Sequence, residues 1–147
     1  MRFSERQTYN VANMSFDLSF RRKYFSDAAW QRLLELRKAD SQPEEQIFRA
    51  WVQLLEEGST LLDQDARGPK AQDWAARCHD LWESTTLGDK DIQIGYDNAW
   101  RDHLNWPAAA RAPLAHLNIQ QILEFNGKAQ AYRRRGYHER WKQIGRM

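Results

Sequence analysis

Apolar side chains recur every three or four positions through five successive runs of this chain, and that spacing constrains its fold more than any other feature. The clearest run, Ile47, Trp51, Leu54, Leu55, Gly58, Leu61 and Leu62, steps by three or four for most of its length. Such a step places one side chain per turn on a single helical face, which must be buried. Trp30, Leu33, Leu34 and Leu36 describe a helix before it, with Ser26 as N-cap. After it, Ala71, Trp74, Ala75, Cys78, Leu81, Trp82 and Thr85 describe a third, bounded by Gly68-Pro69 and Gly88. Asp89 caps a fourth with Ile92, Tyr96, Ala99, Trp100 and His103 on its inner face, and Pro107 ends it. Leu114, Leu117, Ile119, Ile122, Leu123 and Phe125 mark a fifth, reached through a connector from Pro107 to Pro113.

The punctuation between runs sharpens these bounds. Ser41 and Glu44 have the spacing of a capping box, with Pro43 in the first helical turn, where its missing N–H costs nothing. Gly58, within an apolar stripe, marks close approach of another helix. Asn126-Gly127 either interrupts the fifth helix or weakens it. Residues 1–23 lack a sustained period and read as an arm, with Phe16, Leu18 and Phe20 alternating as in a short extended piece. The expectation is an all-α chain of about five to seven helices, one domain over residues 24–147, with no internal repeat.

Length and composition agree. A chain of 147 residues suits one domain with room for a pocket in its core. Seven glycines and four prolines argue against an all-β chain full of turns. A single cysteine, Cys78, excludes an internal disulfide and suggests a cytoplasmic protein. No apolar run approaches the roughly 20 residues that span a bilayer, so no membrane partner is expected.

A net charge of +2 does not by itself call for a nucleic-acid partner. The charge is uneven, however. Lys128, Arg133, Arg134, Arg135, Arg140, Lys142 and Arg146 face only Glu139 from residue 128 onward. A solvated helix end with favourably placed cations explains this segment better than phosphate contact does. The residues leave open whether the chain pairs with a second copy.

Seven tryptophans, at positions 30, 51, 74, 82, 100, 106 and 141, exceed what a helical core of this size needs. Each one alone is most simply a large core side chain. Together they suggest aromatic walls offered to a guest. His103, one turn beyond Trp100 and two beyond Tyr96, adds a polar handle that would orient such a guest, or else sits at a helix end as an interfacial histidine.

Catalytic signals are missing. The four histidines, His79, His103, His116 and His138, lack the spacing of a zinc helix, and there is no glycine-rich phosphate loop. Cys78 and His79 are neighbours in a helix and point about 100° apart, so they do not pair as nucleophile and base. Cys78 reads first as a small buried apolar residue. Neither metal, cofactor nor enzymatic activity is expected.

The order of anchors nevertheless resembles a known family. Tyr24-Phe25-Ser26 before Trp30, Trp51 in the second helix, and Pro69-Lys70-Ala71-Gln72-Asp73-Trp74-Ala75-Ala76-Arg77 after an acidic turn form the first part of the pattern. Leu87-Gly88-Asp89 ahead of Ile92 completes it. This arrangement, over residues 23–105, is similar to the TipAS antibiotic-recognition domain, the effector-binding part of some MerR-family transcriptional regulators and of drug-sequestering proteins such as those that bind albicidin. The resemblance implies a globin-like helical domain with a cleft for bulky aromatic antibiotics and no catalytic chemistry. Residues 1–23 are too few for the winged helix of such a regulator. Cys78 stands where family members usually carry a tryptophan, and covalent trapping does not carry over to it.

The leading expectation is therefore a binding protein that sequesters or senses an aromatic, antibiotic-like small molecule in a tryptophan-lined cleft. Its expected ligand-binding residues are Trp74, Trp82, Tyr96, Trp100 and His103, with Trp30, Trp51 and Cys78 as second choices. The alternative is a transcription regulator lacking its own winged helix, which meets nucleic acid or a partner through its arginine-rich C-terminal segment.

Overall fold

Ser26 opens the first helix as its chemistry requires: its hydroxyl oxygen accepts the Ala29 backbone N–H at 3.1 Å. Helix α1 then runs Asp27–Ala39, and α2 spans Glu44–Ser59. Helix α3 covers Pro69–Thr86 and α4 covers Lys90–Arg101. A short α5, Ala108–Arg111, precedes α6, Ile119–Gly145. These elements come from a computed structural model that describes residues 18–39 and 43–145, with side chains through residue 135. Three 3-10 turns, Ser19–Tyr24, His103–Asn105 and Ala112–Leu114, complete an all-α chain with no strand among the described residues.

The helix starts and stops are chemically explicit. Asp89 caps α4 by accepting the backbone N–H groups of Asp91 and Ile92. The same carboxylate takes Arg32 Nε at 2.8 Å, and that hydrogen bond holds its pKa below the usual aspartate value. Between α3 and α4 the backbone turns left-handed at Leu87 (φ 57°) and Gly88 (φ 70°), so the stop expected at Gly88 begins one residue earlier. Asn118 caps α6 by accepting the Gln121 N–H at 3.1 Å.

The chain groups into two compact units. The first comprises the described parts of Met1–Val52 and Leu81–His116, and the second those of Gln53–Asp80 and Leu117–Met147. In the first, Phe25, Ala29, Leu33, Ile92 and Tyr96 form a buried cluster, with Tyr24, Trp30, Trp82 and Leu87 packed against it. The Phe25 ring stands edge-on to Tyr96 at 5.2 Å and lies over Gly95, where an added Cβ would meet it at 2.1 Å. Tyr24 donates to Asp102 at 2.6 Å; burial and then this bond raise the phenol's pKa to about 12.

In the second unit, Trp74 is fully buried and donates its indole N–H to the Leu54 carbonyl at 2.8 Å. Its ring lies on Gly58, as the sequence anticipates: a Cβ there would meet the ring at 2.4 Å. Phe125 of α6 packs on the same indole at a centroid distance of 5.9 Å. Gln72 of α3 donates to the Ala129 carbonyl at 3.1 Å, and Gln130 of α6 donates to the Ala75 carbonyl at 2.7 Å, tying these two helices together.

Several local expectations are corrected. The expected capping box rests on Ser41; helix α2 itself begins at Glu44, and its first turn hydrogen-bonds to the Pro43 carbonyl. Ser41 lies outside the described residues. Leu18 and Phe20 are not extended; the chain coils into the 3-10 turn Ser19–Tyr24, and Phe16 lies outside the described residues. The segment Pro107 to Pro113 is no loose connector, because it folds into α5 and a 3-10 turn with Ala110, Pro113 and Leu114 buried. Asn126-Gly127 does not break α6. Burial of Ile122, Phe125 and Ala129 on one face of the helix offsets the roughly 1 kcal/mol that a mid-helix glycine costs relative to alanine.

Candidate functional site

Helix α4 ends at Arg101, and Asp102 then leads into the turn His103–Asn105. Trp106 must be extended ahead of Pro107, and its φ of −67° and ψ of 156° meet that requirement. This swing carries the Trp106 indole back onto α4, where its N–H donates to the Ala99 carbonyl at 2.8 Å. The ring is buried against Trp100 at 4.9 Å, Phe20 at 5.3 Å and Phe48 at 6.4 Å. Trp51 from α2 meets Trp100 at 6.2 Å. All of these contacts are tilted, the geometry that aromatic quadrupoles favour over face-to-face stacking.

Around these rings, within the first unit, lies a cleft of about 420 Å³, counting the space open to solvent at its mouth. Phe20, Phe48, Trp51, Trp100 and Trp106 supply its aromatic wall, and Leu18, Ile47 and Ala99 complete the apolar lining. Its polar lining consists of Arg21, Glu44, Thr85 and the Tyr96 hydroxyl.

These polar groups form one network. Glu44 accepts Arg21 Nη1 at 2.9 Å on one oxygen and Arg37 Nε at 2.7 Å on the other. Tyr96 accepts a second hydrogen bond from Arg21 Nη1 at 2.9 Å and donates to Glu44 at 3.3 Å. Burial raises the Tyr96 pKa, so its hydroxyl stays protonated and available as a donor at neutral pH. Arg37, whose side chain is only 9% exposed, also donates to the Thr85 carbonyl at 2.7 Å. The Thr85 hydroxyl accepts the Trp51 indole N–H at 2.9 Å and donates to the Leu81 carbonyl at 2.6 Å. A hydroxyl committed in both directions is an orienting group. It holds Trp51 in place.

The expected site residues divide sharply. Tyr96, Trp100 and Trp51 line the cleft. Trp82 and Trp30 instead pack on the cluster around Phe25, where Trp30 also lies 5.7 Å from the Arg21 guanidinium. Trp74 and Cys78 belong to the second unit, and both are buried in it. Burial raises the Cys78 thiol to about 12, which suits the small apolar role expected of it. His103 is not on α4: it lies past the helix end, where Nδ1 donates to the Trp100 carbonyl at 2.9 Å, and it is absent from the lining of the cleft. Its ring stands edge-on to Trp106 at 6.5 Å, so it supports the wall from behind.

The sequence pattern does not point to Leu18, Phe20 or Arg21 in the lead-in, to Phe48 of α2, to Glu44 at the helix start or to Trp106 before Pro107 as parts of the cleft. Only the Trp106-Pro107 pair offered a local signal, since proline forces the preceding residue out of the helix. Among the described residues no group of histidine, cysteine and carboxylate side chains is arranged to hold a metal ion. No described helix is long and apolar enough to cross a membrane.

No family model matches the chain, and neither a curated protein nor a solved structure matches it.

Proposed function

We propose that this chain is a non-catalytic binding protein that captures or senses an aromatic small molecule in the cleft walled by Trp51, Trp100 and Trp106. The observation that carries this reading is the convergence of three indoles with Phe20 and Phe48 on one cleft whose polar groups are all fixed in advance. Apolar walls with a few pre-oriented polar groups are the usual construction of a small-molecule site. The polar lining holds Thr85, whose hydroxyl is committed twice, and Glu44, which already accepts from two guanidiniums, so neither acts as an unengaged base or nucleophile there.

The volume narrows the guest. Only about 30 Å³ of this space is cavity proper and the rest is shared with solvent, so the cleft takes one edge of a fused-ring system unless its walls part. A bulky antibiotic would need the walls to part, or would present one aromatic end. The order of anchors, which resembles that of the TipAS domain, is the ground for reading the role as drug sequestration or effector sensing.

Intrinsic tryptophan fluorescence, titrated with a panel of aromatic antibiotics and smaller fused-ring compounds, tests the proposal. Saturable quenching or a spectral shift at micromolar concentrations, reduced in Trp100→Phe, is the expected result. No change with any compound at high micromolar concentration sinks the reading.

A further inference from the structure

The charge around the cleft is unbalanced. Two guanidiniums, Arg21 and Arg37, converge on one carboxylate, Glu44, at 2.9 and 2.7 Å. The remaining polar lining, Tyr96 and Thr85, is uncharged at neutral pH, so Arg21, Arg37 and Glu44 between them sum to one positive charge. The side chains of Arg21 and Arg37 are 13% and 9% exposed, which leaves that charge weakly screened compared with a surface pair.

Arg37 is occupied. Its Nε meets Glu44 and its Nη2 meets the Thr85 carbonyl. Arg21 is only partly so. Its Nε donates to the Leu18 carbonyl at 2.9 Å, and its Nη1 is shared between Glu44 and Tyr96. Its Nη2 has no hydrogen-bond partner among the described residues. No buried side-chain nitrogen or oxygen among the described residues lacks a partner, so Nη2 is reached by solvent. Arg21 itself lines the cleft beside the aromatic wall.

An aromatic wall beside a carboxylate is also the construction of an ammonium cage, in which rings and a negative charge hold a cation. Charge decides between the two. Glu44 is more than neutralised by its two arginines, and a cationic guest would meet net repulsion.

We infer that the ligand of this cleft is a compact aromatic anion, an arylalkanoic carboxylate or a group of like charge, whose ring lies against Trp100 and Trp106 while its anionic end takes the Nη2 of Arg21. The inference rests on the cleft being a binding site and adds the charge class of the guest. A charge-assisted hydrogen bond to guanidinium is about twice as strong as a neutral one, and it supplies the discrimination.

Three probes of nearly one shape and different charge test it by titration calorimetry: indole-3-acetate, indole-3-acetamide and tryptamine. Indole-3-acetate is expected to bind about tenfold more tightly than the amide, and tryptamine more weakly than either. Raising the salt concentration should narrow the gap between acetate and amide. Equal binding of acetate and amide, or tightest binding of tryptamine, overturns the charge assignment and leaves the aromatic cleft standing. Binding of none of the three at millimolar concentration overturns both. Arg21→Gln should abolish the preference for the anion, and a preference that survives removes Arg21 as the anchor. Should that variant fail to fold, the three-probe series on the unaltered protein still decides.

Discussion

Trp74 in the second unit and Trp100 in the first occupy equivalent places in the sequence pattern, each on the inner stripe of an amphipathic helix, yet they do opposite things. Trp74 lies on Gly58, has Phe125 beside it, and has its N–H bonded to the Leu54 carbonyl. Nothing is left for a guest to touch. Trp100 meets other rings instead, Trp51 at 6.2 Å and Trp106 at 4.9 Å, and remains half-buried at the edge of open space. A large ring over a glycine closes a core, whereas large rings meeting at a tilt leave a cleft between them. The residue opposite an indole, more than the indole itself, separates packing from binding.

The largest effect that probes this contrast is expected from Trp74→Ala. Deleting a fully buried indole should cost about 3–5 kcal/mol of stability, read from urea denaturation at constant m-value. A loss below 1 kcal/mol would place Trp74 outside the core and break the comparison. Gly58→Ala comes next. The new methyl would meet the Trp74 ring at 2.4 Å, and overpacking of this kind should cost about 1–3 kcal/mol in the same assay.

Trp100→Ala should split the two properties. Stability falls less than for Trp74→Ala, because the ring is half-buried, while affinity for an aromatic guest drops about threefold to tenfold as one ring contact of roughly 0.5–1.5 kcal/mol disappears. Equal losses of stability in the two variants would erase the distinction. Gly127→Ala is expected to run the other way. An added Cβ there meets nothing within 4 Å, so the variant should gain about 0.5–1 kcal/mol, visible as a raised Tm.

The smallest effect is electrostatic and touches both units. Hydrogen bonds from Arg32 and Arg77 lower the pKa values of Asp89 in the first unit and Glu57 in the second. A carboxylate whose folded pKa is depressed contributes stability above its unfolded pKa, near 4, and loses it as pH falls through the folded value. Stability should therefore decline below about pH 4, with Asp89→Asn and Glu57→Gln each flattening part of that decline. Both pairs are partly exposed, so the change is small and screened by salt.

Much of the fold was legible because its signals are local. Ser26 and Asp89 cap helices through their own next few residues, and the apolar stripes declare their buried faces within two turns. Gly58 was legible too, since a glycine on an apolar stripe has few other reasons to be there. The site was legible only in part. Tyr96, Trp100 and Trp51 lie on periodic helices, and the periodicity finds them. Glu44 sits where a capping box would use it, yet it bonds to Arg21 and Arg37, and Arg21 lies 75 positions from the Tyr96 that it also holds. Long-range partnerships of this kind leave no periodic trace. Leu18, Phe20 and Arg21 were hidden for a related reason: a 3-10 turn of six residues has too few repeats to declare a face. The expectations that concern His138, Glu139, Arg140, Trp141 and Lys142 fall beyond the described side chains, and Arg146 lies outside the described residues.

The cluster of Trp51, Trp100 and Trp106 has an optical consequence. Indoles whose centres lie 4.9 and 6.2 Å apart, with planes inclined at 57° and 59°, share their electronic excitations, and inclined transition dipoles turn that sharing into a paired positive and negative band in circular dichroism. Trp74, seated against a phenyl ring in the other unit, has no indole at such range among the aromatic pairs of the described residues. The couplet thus reports on the cleft alone: a guest that slips between the rings would change its amplitude while the helical signal stays constant, making the wall a built-in gauge of its own occupancy.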